Sequence, residues 1–116
     1  MESNANNNSL KMGEKMKFGL DEKVVKDIIS IIEKYDEVER ACIFGSRARG
    51  DYRNGSDIDI ALFGESLTNE INTKIYFEID NLYLPYKIDL INFNSLGKDD
   101  KIKESILREG VEIYAK

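Results

Sequence analysis

The sequence predicts a small α/β domain, a mixed β-sheet with helices packed on one face, over residues 19–116. Three observations predict it. Apolar residues at three- and four-residue spacing alternate along the chain with short β-branched and aromatic runs. The 116 residues provide for one hydrophobic core and not two. Hydrophobic residues at 41% and charged residues at 34% match a globular, soluble chain.

Residues 1–18 are rich in Asn, Lys, Met and Gly and lack periodicity, which predicts a disordered or loosely held tail. From Asp21 the pattern turns helical: Val24, Val25, Ile28, Ile29, Ile31, Ile32 and Tyr35 form one broad stripe, with Asp21 as the N-cap. A strand is expected over residues 38–44, ending at Gly45, then a polar stretch to Ser56 and a second strand over 57–63. Ile71, Ile75, Phe77, Ile79 and Leu82 predict a helix over 68–82. Pro85 breaks the chain before a third strand over 86–93. A helix over 98–108 is closed by Gly110, a residue suited to the left-handed position after a helix end. A short strand over 111–114 completes the order α-β-β-α-β-α-β.

The composition excludes several chemistries. The sequence contains no histidine, so Ser-His catalysis, His-ligated zinc and a His general base are excluded. Cys42, the one cysteine, sits in an apolar run and reads as a buried structural thiol. With 17 Lys and Arg against 22 Asp and Glu, the net charge of -5 lacks the electrostatic footprint of a nucleic-acid binder. No apolar run approaches the ~20 residues of a membrane span and no signal-peptide core is visible, so the expected location is the cytoplasm, without membrane contact.

Chemistry concentrates between Ile43 and Ile60. Alternation along a strand puts the side chains of Asp57 and Asp59 on one face while Ile58 and Ile60 point to the core. Two such charges about 6.5 Å apart repel by roughly 2.5 kcal/mol at an effective dielectric near 20. A divalent cation offsets that cost; taken alone, the pair also reads as a solvated acidic edge. Upstream, Gly45 ends a strand and lets a ligand approach the backbone. Ser46 opens a short helix whose N–H groups and hydroxyl suit phosphate, and Arg47, Arg49 and Arg53 surround it with positive charge. Taken alone, Gly-Ser reads as an ordinary strand–turn–strand connection. Tyr52 reads as an exposed loop residue, Tyr83 and Tyr86 as packing, and Glu78 and Asp80 as solvated helix positions.

Together, Phe44-Gly45-Ser46, ten intervening residues and Asp57-Ile58-Asp59-Ile60 resemble the signature of the polymerase-β-like nucleotidyltransferase superfamily. The fuller run from Gly45 through Gly50 to Asp59 is similar to the minimal nucleotidyltransferases within it, and the likeness covers roughly residues 38–114. The resemblance implies the small polymerase-β-like fold and a third carboxylate on a neighbouring strand, which Asp89 supplies. It implies that Asp57, Asp59 and Asp89 are catalytic and hold Mg²⁺, two ions, and that Gly45, Ser46, Arg47 and Arg49 bind a nucleoside triphosphate, ATP. Minimal nucleotidyltransferases also act as antitoxins beside a helical HEPN-family ribonuclease toxin, transferring AMP from ATP to a toxin tyrosine. The resemblance therefore implies a cognate HEPN toxin as partner.

Only residues 90–116 follow Asp89, so an acceptor supplied by a partner is the expectation. Two other functions stand beside it: a nucleotidyltransferase acting on small molecules such as aminoglycosides, and an inactive relative that neutralises a partner by contact. Gly45, Ser46, Asp57, Asp59 and Asp89 are all intact, which a pure binder would not require.

Overall fold

The computed structural model describes residues 17–116. The predicted tail over residues 1–18 lies outside them, except for Lys17 and Phe18. Those two residues belong to a single 3₁₀ turn, Lys17–Gly19. Four α-helices and four strands follow: α1 Glu22–Ile32, β1 Arg40–Phe44, α2 Ser46–Arg49, β2 Ile58–Phe63, α3 Asn69–Asp80, β3 Ile88–Asn92, α4 Lys101–Glu109 and β4 Val111–Ala115. The order is the expected one, with α2 the short helix anticipated after Gly45.

The helix starts obey local chemistry. Asp21 accepts from the Lys23 N–H at 2.9 Å, Thr68 from Ile71 at 3.2 Å and Asp100 from Ile102 at 2.8 Å. Each side chain satisfies a donor that the helix cannot, a contribution of about 1 kcal/mol per cap.

The sheet runs in the order β3-β2-β1-β4. β1 is antiparallel to both β2 and β4, and β2 is parallel to β3, with α3 as the crossover between them. Alternation sorts the strand residues into two layers. Ala41, Ile43, Ile58, Ile60, Leu62 and Ile88 face α1 and α3, where they join Ile28, Ile32, Ile75 and Ile79 in the main core. Cys42, Phe44 and Ala61 face the other way and meet Ile106 of α4. The mixed α/β architecture is as predicted, with one correction. Helices cover both faces, because α4 closes a second, smaller apolar layer that the three inward residues of β1 and β2 create.

Gly110 also departs from expectation. It is extended, at φ -60° and ψ 136°, and not left-handed. Its requirement is proximity: a Cβ there would lie 2.6 Å from the Ile106 carbonyl oxygen and 2.9 Å from Cys42 Sγ. The missing side chain lets the end of α4 press against β1. Glu78, expected to be solvated, instead receives hydrogen bonds from Lys34 and the Tyr35 hydroxyl and ties α3 to the end of α1. Tyr83 is 87% exposed and does not pack.

Gly110→Ala should overpack this contact and lower stability by about 1–3 kcal/mol, read as a reduced urea midpoint with an unchanged m-value.

Candidate active site

The site forms at one end of the sheet, on the face that carries α4. Antiparallel register sets Phe44 opposite Asp59, and parallel register sets Asp59 opposite Asp89. Cross-strand partners share a face and neighbouring strands are about 4.8 Å apart. Asp59 and Asp89 are therefore immediate neighbours by construction. Asp57 sits one residue before β2 and adds its charge to the pair. The structure thus brings together the three carboxylates that the sequence singled out. Asp89 is exposed, and Asp57 and Asp59 are partly buried.

Gly45 abuts this row. It adopts φ 76°, ψ -154°, a conformation open to glycine and costly for other residues. A Cβ on it would collide with the Asp59 carboxylate. The glycine therefore serves two purposes: it makes the turn, and it leaves room for the carboxylate of the next strand. From this turn α2 rises, with the Ala48 and Arg49 N–H groups bonding back to the Gly45 carbonyl at 3.1 and 3.0 Å. The N–H groups of the first residues, Ser46 and Arg47, have no intrahelical acceptor. The left-handed Gly50 closes the helix, its N–H on the Ser46 carbonyl.

The arginines part company. Arg49 remains at the surface, its Nε 3.1 Å from Asp51 and its Nη1 3.0 Å from Glu109. Arg53 is exposed on the loop. Arg47, expected to meet phosphate, is only 3% exposed. Its Nε and Nη2 donate to the Ser56 carbonyl at 3.2 and 2.9 Å, and its Nη1 donates to the Phe18 carbonyl at 2.9 Å. The Tyr52 and Tyr86 rings flank it, with centroids 5.1 and 4.9 Å away. Its donors face inward, so the Arg47 guanidinium is committed to backbone carbonyls and does not line the opening of α2 as the sequence reading expected. Tyr52 is accordingly half-buried and not a free loop residue.

Sequence reasoning did not single out Glu109. It lies sixty positions from Arg49, and its side chain is 13% exposed in the ion pair. The close approach at Gly110 brings it there. A glutamate followed by a glycine at the end of a helix was the sole local signal.

Burial first, and the charges of Asp89 and Asp57 second, push the Asp59 carboxyl up to about 6, against the opposing pull of Arg49 and Arg47. Negative charge is thus concentrated beyond what the protein's own cations offset. The donor set is all carboxylate, chemistry that suits Mg²⁺ and not a thiolate- or imidazole-seeking metal. Among the described residues no three acidic or thiol side chains close into a ready-made ion cage. The row fits a cation that completes its shell with water and ligand oxygens.

A family model described as polymerase beta, nucleotidyltransferase matches residues 26–116. The chain belongs to this nucleotidyltransferase family. It is 34% identical over 91 residues to a protein of Methanocaldococcus jannaschii provisionally named a protein adenylyltransferase, spanning 78% of this chain and 94% of that one. Among solved structures, a toxin–antitoxin complex with AMP-PNP contains a chain that matches with a TM-score of 0.66 at 19% identity, over 79% of this chain and 73% of that one. A complex of the tri-AMPylated Shewanella oneidensis HEPN toxin with MNT antitoxin gives 0.61 at 16% identity, over 82% and 72%. At these identities the two structures show the fold that the nucleotidyltransferase shares with them. No helix among the described residues is long and apolar enough to cross a membrane.

The raised Asp59 carboxyl carries a stability signature. The folded state favours the protonated form, so that contribution is complete below the ordinary value of 3.8 and is lost as pH rises through about 6. Asp59→Asn holds that position neutral at every pH. Without divalent cations its melting temperature should exceed the parent's near pH 8, and the difference should close by about pH 4.

Proposed function

We propose that this nucleotidyltransferase transfers AMP from Mg²⁺-ATP to a tyrosine hydroxyl of a cognate HEPN-family ribonuclease toxin in the cytoplasm, and so acts as its antitoxin. In this reading residues 19–116 are the catalytic unit. The observation that carries the proposal is the Asp59 carboxylate seated over Gly45, opposite Asp89 in the register and within the field of Asp57. In this reading that contact sets the phosphate cradle against the carboxylate row. The adenylyltransferase name of the M. jannaschii relative and the HEPN toxin in a structural neighbour's complex support AMP and this class of acceptor.

The residues divide the work as follows. The backbone N–H groups opening α2 and the Ser46 hydroxyl hold triphosphate oxygens. Arg49 adds a guanidinium that trades its exposed partner Asp51 for phosphate while Glu109 keeps its orientation. Asp57, Asp59 and Asp89 would hold Mg²⁺, two ions in this reading, which would supply neutralisation of the triphosphate charge and Lewis-acid activation of the acceptor. The tyrosine oxygen bonds to the α-phosphorus as the bond to the bridging oxygen breaks. Pyrophosphate leaves with the bonding pair. The phenolic proton, with a pKa near 10 in water, passes to the exposed carboxylate of Asp89.

Co-expression with the partner toxin tests this. Intact mass measurement should show the toxin gaining whole adenylyl groups with the parent protein and none with Asp89→Asn, which should still bind ATP through Gly45, Ser46 and the other two aspartates. A toxin that stays unmodified beside parent protein and ATP would contradict the acceptor. Ser46→Ala should weaken ATP binding by the worth of one hydrogen bond to a charged group, roughly 1.5–3 kcal/mol, in a titration.

A further inference from the structure

The geometry points to Arg47 as a positioning residue that binds the N-terminal turn Lys17–Gly19 into the active-site framework and fixes the Ser56–Asp57 link relative to the Gly45–Ser46 cradle. The inference rests on the nucleotidyltransferase reading of that site and adds a segment to it. The family match begins at residue 26, so the turn lies outside the matched region.

Three chain segments converge on one guanidinium. The Arg47 backbone is in α2, next to Ser46. Nε and Nη2 both close on the Ser56 carbonyl, at 3.2 and 2.9 Å. That carbonyl belongs to the peptide plane that also carries the Asp57 nitrogen, so holding the oxygen restrains the backbone from which the Asp57 carboxylate projects. Nη1 donates to the Phe18 carbonyl at 2.9 Å and reaches the Gly19 carbonyl at 3.5 Å. A buried charge requires partners on every side. Here they are backbone carbonyls and the faces of Tyr52 and Tyr86.

The turn is shaped for this contact. Phe18 and Gly19 have φ of 62° and 71°, an unfavourable conformation for phenylalanine that persists only where neighbours enforce it. The Tyr52 ring occupies the space a Gly19 side chain would need. Lysine cannot take the place of Arg47: its single ammonium cannot bind the Ser56 and Phe18 carbonyls as a planar fork and stack between two rings. A group that orients the metal-binding carboxylates from behind should act on metal affinity more than on nucleotide contact.

The test reads Mn²⁺ binding by electron paramagnetic resonance in the presence of the α,β-methylene analogue of ATP, which cannot release pyrophosphate. Arg47→Lys should weaken Mn²⁺ by about 10- to 100-fold, the usual effect of removing an outer-shell partner, while analogue affinity at saturating Mn²⁺ changes far less. Gly19→Ala, which touches neither nucleotide nor carboxylate, should displace the turn and reproduce the pattern. Circular dichroism establishes that each variant is folded; if Arg47→Lys is not, Gly19→Ala decides. Folded variants with the parent's Mn²⁺ affinity would overturn the inference. So would an Arg47→Lys that loses analogue affinity alone, since that marks a direct phosphate contact. A parent that binds neither Mn²⁺ nor the analogue would instead overturn the nucleotidyltransferase reading of the site, and the inference with it.

Discussion

The packing of the Asp59 carboxylate against the bare Cα of Gly45 is the constraint on which the site depends. It follows from one register. β1 meets β2 antiparallel with Phe44 opposite Asp59, so the turn after β1 passes directly over the first full residue pair of β2. A slip of one residue would send Asp59 into the main core and both Ile58 and Ile60 to the opposite face. Those isoleucines are fully buried, and their burial resists the slip by a few kcal/mol. The hydrophobic pattern of β2 thus sets the position of its carboxylates. The parallel pairing with β3 extends the same face to Asp89.

Around this contact the protein sets charges against each other without neutralising them. Asp57, Asp59 and Asp89 share a sheet end, and the carboxyl in the middle is raised by burial and by its two neighbours. The nearby cations are already committed. Arg47 is enclosed by carbonyls and rings, and Arg49 is shared between Asp51 and Glu109. Glu109 is the more enclosed of the Arg49 partners and Asp51 the more exposed, so one is suited to hold the guanidinium and the other to release it. Net negative charge at a partly buried site is unfavourable in isolation, and a bound cation with its phosphate ligand relieves it. The framework therefore carries an electrostatic cost at Asp59.

What the sequence revealed was local in origin. Asp21 could be recognised as a helix start because its side chain competes for a nearby backbone donor. The grouping of Asp57 with Asp59 follows from the period of a strand, and the Gly45–Ser46 turn from the loss of a Cβ where chain direction reverses. What stayed hidden required contacts distant in sequence. Three arginines in a polar loop all read as positive charge around the phosphate-binding turn, and only the fold shows that the Arg47 side chain is covered by Tyr52, Tyr86 and the N-terminal turn. Glu78 looked solvated until α3 was placed beside the end of α1. The side of the sheet that α4 takes depends on Cys42, Phe44 and Ala61 forming an apolar layer, a property of paired strands that neither strand displays alone. Gly110 was recognised as necessary for the wrong reason, since crowding by Cys42 leaves no trace in the local pattern.

The most direct measurement of the central claim is anomalous diffraction from a crystal grown with Mn²⁺ and the α,β-methylene analogue of ATP. The account predicts manganese peaks bounded by Asp57, Asp59 and Asp89, with the triphosphate lying along Gly45 and Ser46. Manganese bound away from those carboxylates, or a triphosphate seated elsewhere on the molecule, would contradict it.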